Sequence, residues 1–127
     1  KSKEELLRIS DFLSLHCPAT KITRDLINEK TIDLMPDDAV IVNAARGSLI
    51  DEEALISALS SGKISGAGLD CFVKEPGGNP KFSELKNVFM LPHIGSATAK
   101  TRDAMGFRAL ENLDAFFSGQ NPVDQIF

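Results

Sequence analysis

The chain has 127 residues, of which 43% are hydrophobic and 25% are charged, and its formal net charge is −4. This size and composition are typical of one soluble domain that can bury roughly two-thirds of its unfolded surface. The acidic balance, without a basic run, argues against nucleic acid or an anionic membrane as a partner. No apolar stretch has the length of a membrane span and the N-terminus lacks a signal-peptide pattern, so we expect a cytoplasmic location.

The two cysteines, Cys17 and Cys71, are far apart and lack the CxxC spacing of zinc sites. We therefore expect no metal site and no disulfide framework. Both are interpreted as reduced thiols at the ends of strands.

The first elements in chain order are a helix and a strand. Ser2 and Glu5 have the spacing of a capping box, which predicts a helix from Ser2 to Ile9. The segment from Asp11 to His16 predicts a strand, and Pro18 ends it because proline donates no ladder hydrogen bond.

A polar loop, a second helix and a second strand follow. Thr23 in the loop is a candidate cap, and Asn28 predicts the start of a helix that extends through Met35. Ala39 to Val42 is a short unbroken apolar run, which is typical of a strand buried on both faces of a parallel sheet.

The second half of the chain repeats this alternation. Asp51 predicts a helix N-cap and Gly62 the left-handed residue that ends the same helix. Strands are predicted at Ile64 to Asp70, where Gly66 and Gly68 would admit a close neighbour, and at Val88 to Leu91. A helix from Ala99 to Phe117 carries an apolar stripe formed by Gly106, Leu110, Leu113 and Phe117.

Four buried strands, with helices in at least two of the intervals, predict an α/β fold with a parallel sheet. We expect one domain over residues 1–127, with residues 99–117 as its last helix. Because the carboxyl ends of parallel strands meet at one edge, the polar clusters that follow the strands should lie together. These clusters are His16 to Pro18, Asn43 to Gly47, Asp70 to Glu75 and Pro92 to Ser96.

Three ionisable residues in these clusters form a candidate catalytic set: Arg46, Glu75 and His93. Histidine is the common acid or base near neutral pH, and a carboxylate bonded to it favours the imidazolium. Arginine can bind a carboxylate through two hydrogen bonds. Together the three suit the reduction of a 2-oxo acid with hydride from another group, although each residue alone is commonly a solvated or turn-bonded side chain.

Other residues leave alternatives open. His16 competes with His93 as the acid, but a role in backbone packing is favoured because no flexible loop follows it. Asp70 is either a ligand contact or a strand-end cap. Cys71 is interpreted as a buried, inert thiol rather than a nucleophile. The Phe116 and Phe117 pair is expected to pack the helix.

Three motifs then resemble the D-isomer-specific 2-hydroxyacid dehydrogenases, with the glyoxylate and hydroxypyruvate reductases as the closest branch. They are NAARGSLIDEEAL at Asn43 to Leu55, GAGLDCFVKEP at Gly66 to Pro76, and LPHIGSAT at Leu91 to Thr98. The resemblance extends from about Asp11 to Asp124. It implies a Rossmann-type fold, a nicotinamide cofactor, NAD or NADP, and a small 2-oxo or 2-hydroxy acid as substrate.

The resemblance also implies roles for particular residues. Arg46 would bind the substrate carboxylate and carbonyl, His93 would donate the proton, and Glu75 would orient and charge His93. Cofactor contacts are implied for Cys17, Pro18, Thr23, Ala44, Ala45, Arg46, Asp70, His93, Gly95 and Ser96.

The sequence departs from the family pattern in one respect: the GxGxxG turn of these enzymes is absent. Gly66-Ala67-Gly68 is not that fingerprint, because no helix is predicted directly after it. The chain is thus expected to be the second half of a cofactor-binding domain, inactive alone. It would form a homodimer through the open edge of its first strand, or associate with the missing half. The alternative is a non-catalytic half-domain, or a binding module like the corepressor relatives of this family, that self-associates.

Overall fold

The protein is described by a computed structural model that covers residues 2–126. The chain divides into two compact units, Lys1–His93 and Ile94–Phe127. The first unit contains α1 (Lys3–Ile9), β1 (Phe12–Leu15), α2 (Glu29–Asp33), β2 (Ala39–Asn43), a 3-10 turn (Gly47–Leu49), α3 (Glu52–Ser61), β3 (Ile64–Leu69), a 3-10 helix (Pro80–Glu84) and β4 (Val88–Met90). The second contains α4 (Ala99–Phe117).

The strands of the first unit form one parallel sheet in the order β1-β2-β3-β4. Leu15 pairs with Asn43, Asn43 with Leu69, and Leu69 with Met90, so the last residues of the four strands are aligned across the sheet. The predicted α/β fold and all four predicted strands are confirmed. The loops that follow the strands consequently begin at one edge.

Side chains at the helix ends explain where the helices begin. Ser2 and Glu5 form a reciprocal capping box, and Asn28 accepts a hydrogen bond from the Thr31 N–H. Asp51 accepts from the N–H groups of Glu53 and Ala54. These predicted starts are confirmed, whereas α2 ends at Asp33 and not at Met35, because Leu34 already makes the C-cap.

The core lies on one face of the sheet. Leu13, Ile41 and Leu69 are buried there together with Leu55 of α3 and Ile32 of α2. On the opposite face Phe12 is 77% and Phe89 is 68% exposed. In β2, for which burial on both faces was predicted, Ala39, Ile41 and Asn43 are buried whereas Val40 and Val42 of the opposite face are half-buried. The prediction is therefore wrong for the second face, because α2 and α3 pack into the core cluster of the first face while alternate side chains point to the other.

The second unit is built around α4, whose predicted bounds are confirmed. Thr98 caps its first turn by accepting from the Thr101 N–H. The predicted apolar stripe is present, but none of the α4 residues is buried. The Phe116 and Phe117 rings contact each other edge to face, with centroids 5.5 Å apart, and both side chains stay exposed.

Phe82 of the 3-10 helix fills the core, where it is 0% exposed. We expect Phe82→Ala to lower the free energy of unfolding by about 3–5 kcal/mol, because the change removes buried ring surface and leaves a cavity. Urea denaturation followed by circular dichroism measures this loss. Phe89→Ala is the matched control, since Phe89 is mostly exposed and its loss should change stability by less than about 0.5 kcal/mol. Equal effects of the two substitutions would contradict this description of the core.

Candidate active site

The loop after β2 is shaped by Asn43, whose side chain is only 1% exposed. Its Nδ2 donates to the Arg46 carbonyl at 2.9 Å, and its Oδ1 accepts from the Ala45 N–H at 3.1 Å. A buried amide is stable only when its polar atoms are bonded in this way. Asn43 thus fixes the backbone of Ala44 to Arg46. Asn43 belongs to one of the predicted clusters, but its role in fixing the loop was not predicted; a polar residue at the end of an apolar strand is the signal that could have indicated it.

Arg46 stands at the outer end of this loop with its side chain exposed. Its Nη1 donates to the Ala45 carbonyl at 2.6 Å. None of the ion pairs found among residues 2–126 includes Arg46. The guanidinium therefore keeps donors available for an external anion.

Glu75 and His93 form a hydrogen-bonded ion pair, with Glu75 Oε2 2.8 Å from His93 Nδ1. The second carboxylate oxygen, Oε1, accepts from the Phe72 N–H at 2.8 Å. Both bonds lower the pKa of Glu75, and the bond from Phe72 has the larger effect. The positive charge of Arg46 lowers this pKa further. Glu75 is thus an ionised acceptor, which assigns the Nδ1 proton to His93.

The backbone at His93 is unusual. Its φ is +57°, in the left-handed region that residues with a Cβ seldom adopt. Such conformations persist where the surrounding structure determines them, and they cluster at functional sites. At His93 this conformation accompanies a side chain bonded to Glu75, a residue that lies 18 positions earlier in the chain.

The pair borders a cleft of about 750 Å³. Phe72 and Met90 contribute apolar walls, and Asn79 contributes polar groups. Binding sites for small molecules combine apolar walls with a few polar groups in this way. A small ligand would fit in this cleft, next to Glu75 and His93.

Apart from His93, which comes after β4, the candidate cofactor residues of the first unit follow β1, β2 and β3. Cys17 and Pro18 come after β1, and Thr23 joins this loop because its Oγ1 donates to the Pro18 carbonyl at 2.7 Å. Thr23 Oγ1 also accepts from the Thr20 N–H at 2.8 Å. Thr20 Oγ1 in turn accepts from the N–H groups of Ile22 and Thr23. The prediction that Thr23 caps the turn after it is therefore wrong, because Thr20 is the residue whose hydroxyl accepts from the N–H groups of this turn.

The loops after β2 and β3 are joined through the backbone. Ala44 and Ala45 follow β2, and the N–H of Asp70, directly after β3, donates to the Asn43 carbonyl at 2.9 Å. Gly95 and Ser96 belong to the second unit, in a turn closed by a hydrogen bond from Ala97 N–H to the Ile94 carbonyl at 2.9 Å. The structure thus brings the loops of residues 43–46 and 70–75 together.

Two other predictions about this edge have different outcomes. Cys71 is buried, and burial, with the nearby charges of Glu75 and Asp70, raises the pKa of its thiol to about 11. The predicted burial of Cys71 is confirmed, and the raised pKa agrees with the interpretation as an inert thiol. The expected packing role of His16 is wrong, because its side chain is exposed and its Nε2 bonds to Ser14 Oγ at 2.8 Å.

The glycines of β3 were predicted to allow the close approach of a neighbouring backbone or a ligand. A Cβ on Gly66 would lie 3.5 Å from its nearest neighbour, the Asn87 carbonyl oxygen, and one on Gly68 would lie 3.8 Å from Val42. Both are ordinary contacts, so among residues 2–126 no neighbouring backbone requires glycine here, and the approach of a ligand stays a prediction. Both glycines lie inside β3, which agrees with the conclusion that they are not a phosphate-binding turn.

The donors and acceptors at this edge fit one end of a nicotinamide dinucleotide. A carboxamide needs an acceptor for its NH2 group and a donor for its carbonyl. The Asp70 carboxylate is an acceptor and the Arg46 guanidinium is a donor, whereas several backbone groups of residues 43–46 already bond within the loops. The small side chains of Ala44 and Ala45 leave the loop backbone accessible. The residues present therefore suit this group.

Comparisons with known proteins agree with this architecture. Residues 1–95 match the family described as D-isomer specific 2-hydroxyacid dehydrogenase, NAD binding domain. The chain belongs to this family. The predicted membership is thereby confirmed, and the expected cofactor, NAD or NADP, agrees with the family's description as an NAD-binding domain.

Individual relatives support the assignment. The chain is 49% identical over 123 residues to a glyoxylate reductase of Thermococcus litoralis, a match that covers 97% of this chain and 37% of the relative. The structure of D-lactate dehydrogenase with NAD+ from Lactobacillus jensenii has a TM-score of 0.92 at 30% identity and covers 100% of this chain and 42% of that one. An NADPH-dependent glyoxylate/hydroxypyruvate reductase of Sinorhizobium meliloti, solved with NADP and malonate, has a TM-score of 0.87 at 37% identity, with coverages of 91% and 36%. The chain thus spans well under half the length of these relatives.

Among residues 2–126, no helix has the length and apolar character needed to cross a bilayer.

The hydrogen bonds of Glu75 predict how its pKa responds to a substitution of His93. We expect His93→Asn to raise the pKa of Glu75 toward, but not up to, the ordinary 4.5, because the Phe72 N–H remains as the larger cause of the shift. Asparagine tolerates the left-handed backbone. A carbon-13 NMR titration of the Glu75 carboxyl group measures the change.

The sign of the pH dependence follows from the lowered pKa. The pair stabilises the fold above about pH 4.5, and this stabilisation is lost as pH falls through the lower pKa of the folded protein. His16→Asn is the matched control, since His16 bonds to Ser14 and should leave Glu75 unchanged. A Glu75 pKa that is the same in wild type and His93→Asn would contradict the conclusion that the bond to His93 lowers this pKa.

Proposed function

We propose that the chain is the catalytic half of an NAD(P)-dependent D-2-hydroxyacid dehydrogenase, which transfers hydride between nicotinamide and a small 2-oxo or 2-hydroxy acid. The observation that carries this proposal is the hydrogen-bonded pair of Glu75 and His93 beside a cleft, in a chain of the family's NAD-binding domain. Glyoxylate is the first substrate to test, because a 49% identical relative is a glyoxylate reductase.

His93 is assigned the role of acid and base. Its Nδ1 is engaged by Glu75, so Nε2 is the nitrogen that exchanges a proton with substrate oxygen. Glu75 holds the ring in one tautomer and stabilises its positive charge, because the carboxylate is kept ionised by its own hydrogen bonds. In the direction of reduction His93 gives its proton to the carbonyl oxygen as that oxygen becomes a hydroxyl.

Arg46 is assigned to the substrate. Its planar guanidinium can bind the carboxylate of a 2-oxo acid through two hydrogen bonds and polarise the adjacent carbonyl. Asn43 supports this role because its side chain holds the Arg46 carbonyl. This bond fixes the backbone from which the Arg46 side chain extends.

The cofactor supplies the hydride when it is bound. The residues proposed to contact it are Cys17, Pro18, Thr23, Ala44, Ala45, Arg46, Asp70, His93, Gly95 and Ser96. Residues 1–127 are proposed to form a single partial nucleotide-binding domain, with 99–117 as its terminal helix. Because the chain covers 37% of the Thermococcus litoralis enzyme, we propose that turnover needs the rest of such a protein.

A chimera tests this function directly. Its N-terminal part is the portion of the Thermococcus litoralis glyoxylate reductase that precedes the matched region, and its C-terminal part is this chain. We expect the chimera to oxidise NADH or NADPH when glyoxylate is added, and the 127 residues alone to show no turnover. His93→Asn should lower kcat by about 100- to 10,000-fold, the usual contribution of a general acid. Absorbance at the reduced nicotinamide band gives the rates.

Arg46→Lys distinguishes substrate binding from proton transfer in the same chimera. Loss of a charge-assisted hydrogen bond worth about 1.5–3 kcal/mol should lower kcat/KM by roughly 10- to 150-fold, mainly through KM. Arg8→Lys, at an exposed arginine of α1, is the matched control and should have no effect.

The result for His93→Asn decides the proposed mechanism. A chimera that folds, binds dinucleotide and remains fully active with this substitution would overturn it.

A second candidate function, self-association as a binding module, is favoured by the edge of the sheet. Within residues 2–126, β1 pairs only with β2, and its Phe12 is 77% exposed. A strand edge with open backbone groups is a template for pairing with another chain. A homodimer through β1, or association with the remainder of a longer protein, would cover it.

Sedimentation of the chain over a range of concentrations tests this association. We expect a dimer that Phe12→Lys abolishes, because a charge on an edge strand opposes pairing. Ile22→Lys is the matched control, since Ile22 is 92% exposed but lies outside the strands. A compact monomer at high concentration would count against association through this edge.

A further inference from the structure

We propose that Glu52 is a positioning residue for the Glu75 and His93 pair, which it serves by holding the peptide that joins Phe72 to Val73. This inference rests on the proposed function in one respect, namely that the pair is the acid and base of the reaction. The contact itself is a property of the fold.

The contact joins two distant segments of the chain. Glu52, in the first turn of α3, accepts a hydrogen bond through Oε1 from the Val73 N–H at 2.8 Å, across 21 positions. The preceding N–H, that of Phe72, donates to Glu75 Oε1 at 2.8 Å. Two consecutive backbone N–H groups are thus held by two different carboxylates. The Glu52 bond fixes the plane of the peptide from which the loop of Glu75 continues.

Gly47 closes the other side of this peptide. A Cβ at Gly47 would lie 2.0 Å from the Phe72 carbonyl carbon and 2.4 Å from the Val73 nitrogen, so the peptide rests against the glycine backbone. The φ of Gly47 is not positive, which means that close approach and not conformation requires glycine here. The neighbour of Gly47 in sequence is Arg46. The Phe72 to Val73 peptide is therefore where the loops of Arg46 and Glu75 meet, and Glu52 holds it there.

Glu52 differs from the other acid of the same turn. Acidic residues in the first turn of a helix commonly interact with the helix dipole, which applies to both Glu52 and Glu53. The side chain of Glu53 reaches Lys81 and Asn79. Glu52 instead makes a charge-assisted bond to a residue whose own side chain, that of Val73, is 60% exposed. The Val73 side chain contributes little packing, so its backbone is held by Glu52 on one side and by Gly47 on the other.

The first test uses NMR on the 127-residue chain and needs no turnover. We expect Glu52→Ala to speed hydrogen exchange of the Val73 amide by about tenfold or more, because a bond to a charged acceptor is lost. The pKa of Glu75 should rise toward its ordinary value as the Phe72 N–H moves out of register. Glu52→Gln keeps an acceptor, so we expect smaller changes in Val73 exchange and in the Glu75 pKa than with alanine. This variant also provides the test if the alanine variant does not fold.

Glu53→Ala is the matched control, since it removes the same charge from the same helical turn. It should leave Val73 exchange and the Glu75 titration unchanged. Equal changes in the two alanine variants would overturn the proposal, because they would show a general effect of charge at the start of α3. No change in Glu75 on Glu52→Ala would overturn it as well.

A kinetic arm in the chimera separates this proposal from the proposed function. Glu52→Ala should lower kcat about tenfold or more while KM changes little, since substrate contacts are kept. If Glu52→Ala shifts Glu75 but His93→Asn leaves turnover intact, the proposed function fails and the positioning contact stands. If His93→Asn abolishes turnover and Glu52→Ala leaves both kcat and the Glu75 titration unchanged, the positioning role fails alone.

Discussion

Parallel pairing of the four strands is the constraint on which the rest of the structure depends. Because the strands run in one direction and their last residues are aligned, each connection must return over the sheet and each following loop begins at the same edge. Residues that are distant in sequence, such as Arg46 and Glu75, therefore lie close enough for the charge of one to affect the other. The site exists because of the topology and not because of any local motif.

Within this edge, order comes from buried and charge-assisted hydrogen bonds that lock short loops. Asn43 fixes the loop of Arg46 from inside the protein, where an unsatisfied amide would be costly. Glu52 and Glu75 fix consecutive N–H groups of the next loop. Both loops can thus be irregular in backbone and still present their side chains in one arrangement, which acid and base chemistry needs.

The elements of the fold were predictable because their signals are local. Ser2, Asn28 and Asp51 cap helices through bonds to residues two or three positions away, and continuous apolar runs mark β2 and β4. Phe82 was not recognised as a core residue, although its side chain is 0% exposed. It lies in a 3-10 helix between polar residues, where no periodicity indicates a buried position. Burial on both strand faces was also expected, since apolar runs do not reveal which face these residues cover.

The residue types of the candidate site and the contact of Glu75 with His93 were predictable, but the contacts that hold its loops together were not. Arg46, Glu75 and His93 stand directly after strands, or in the loops beyond them, which sequence order and topology indicate. The contacts of Gly47 with Phe72 and of Glu52 with Val73 join segments 20 or more residues apart and have no local signature. Glycine at position 47 looks like a turn residue, yet its role is to leave space for another backbone. Since Arg46 precedes this glycine and Glu75 follows the peptide packed on it, the loops that carry these two charged residues meet at one backbone contact.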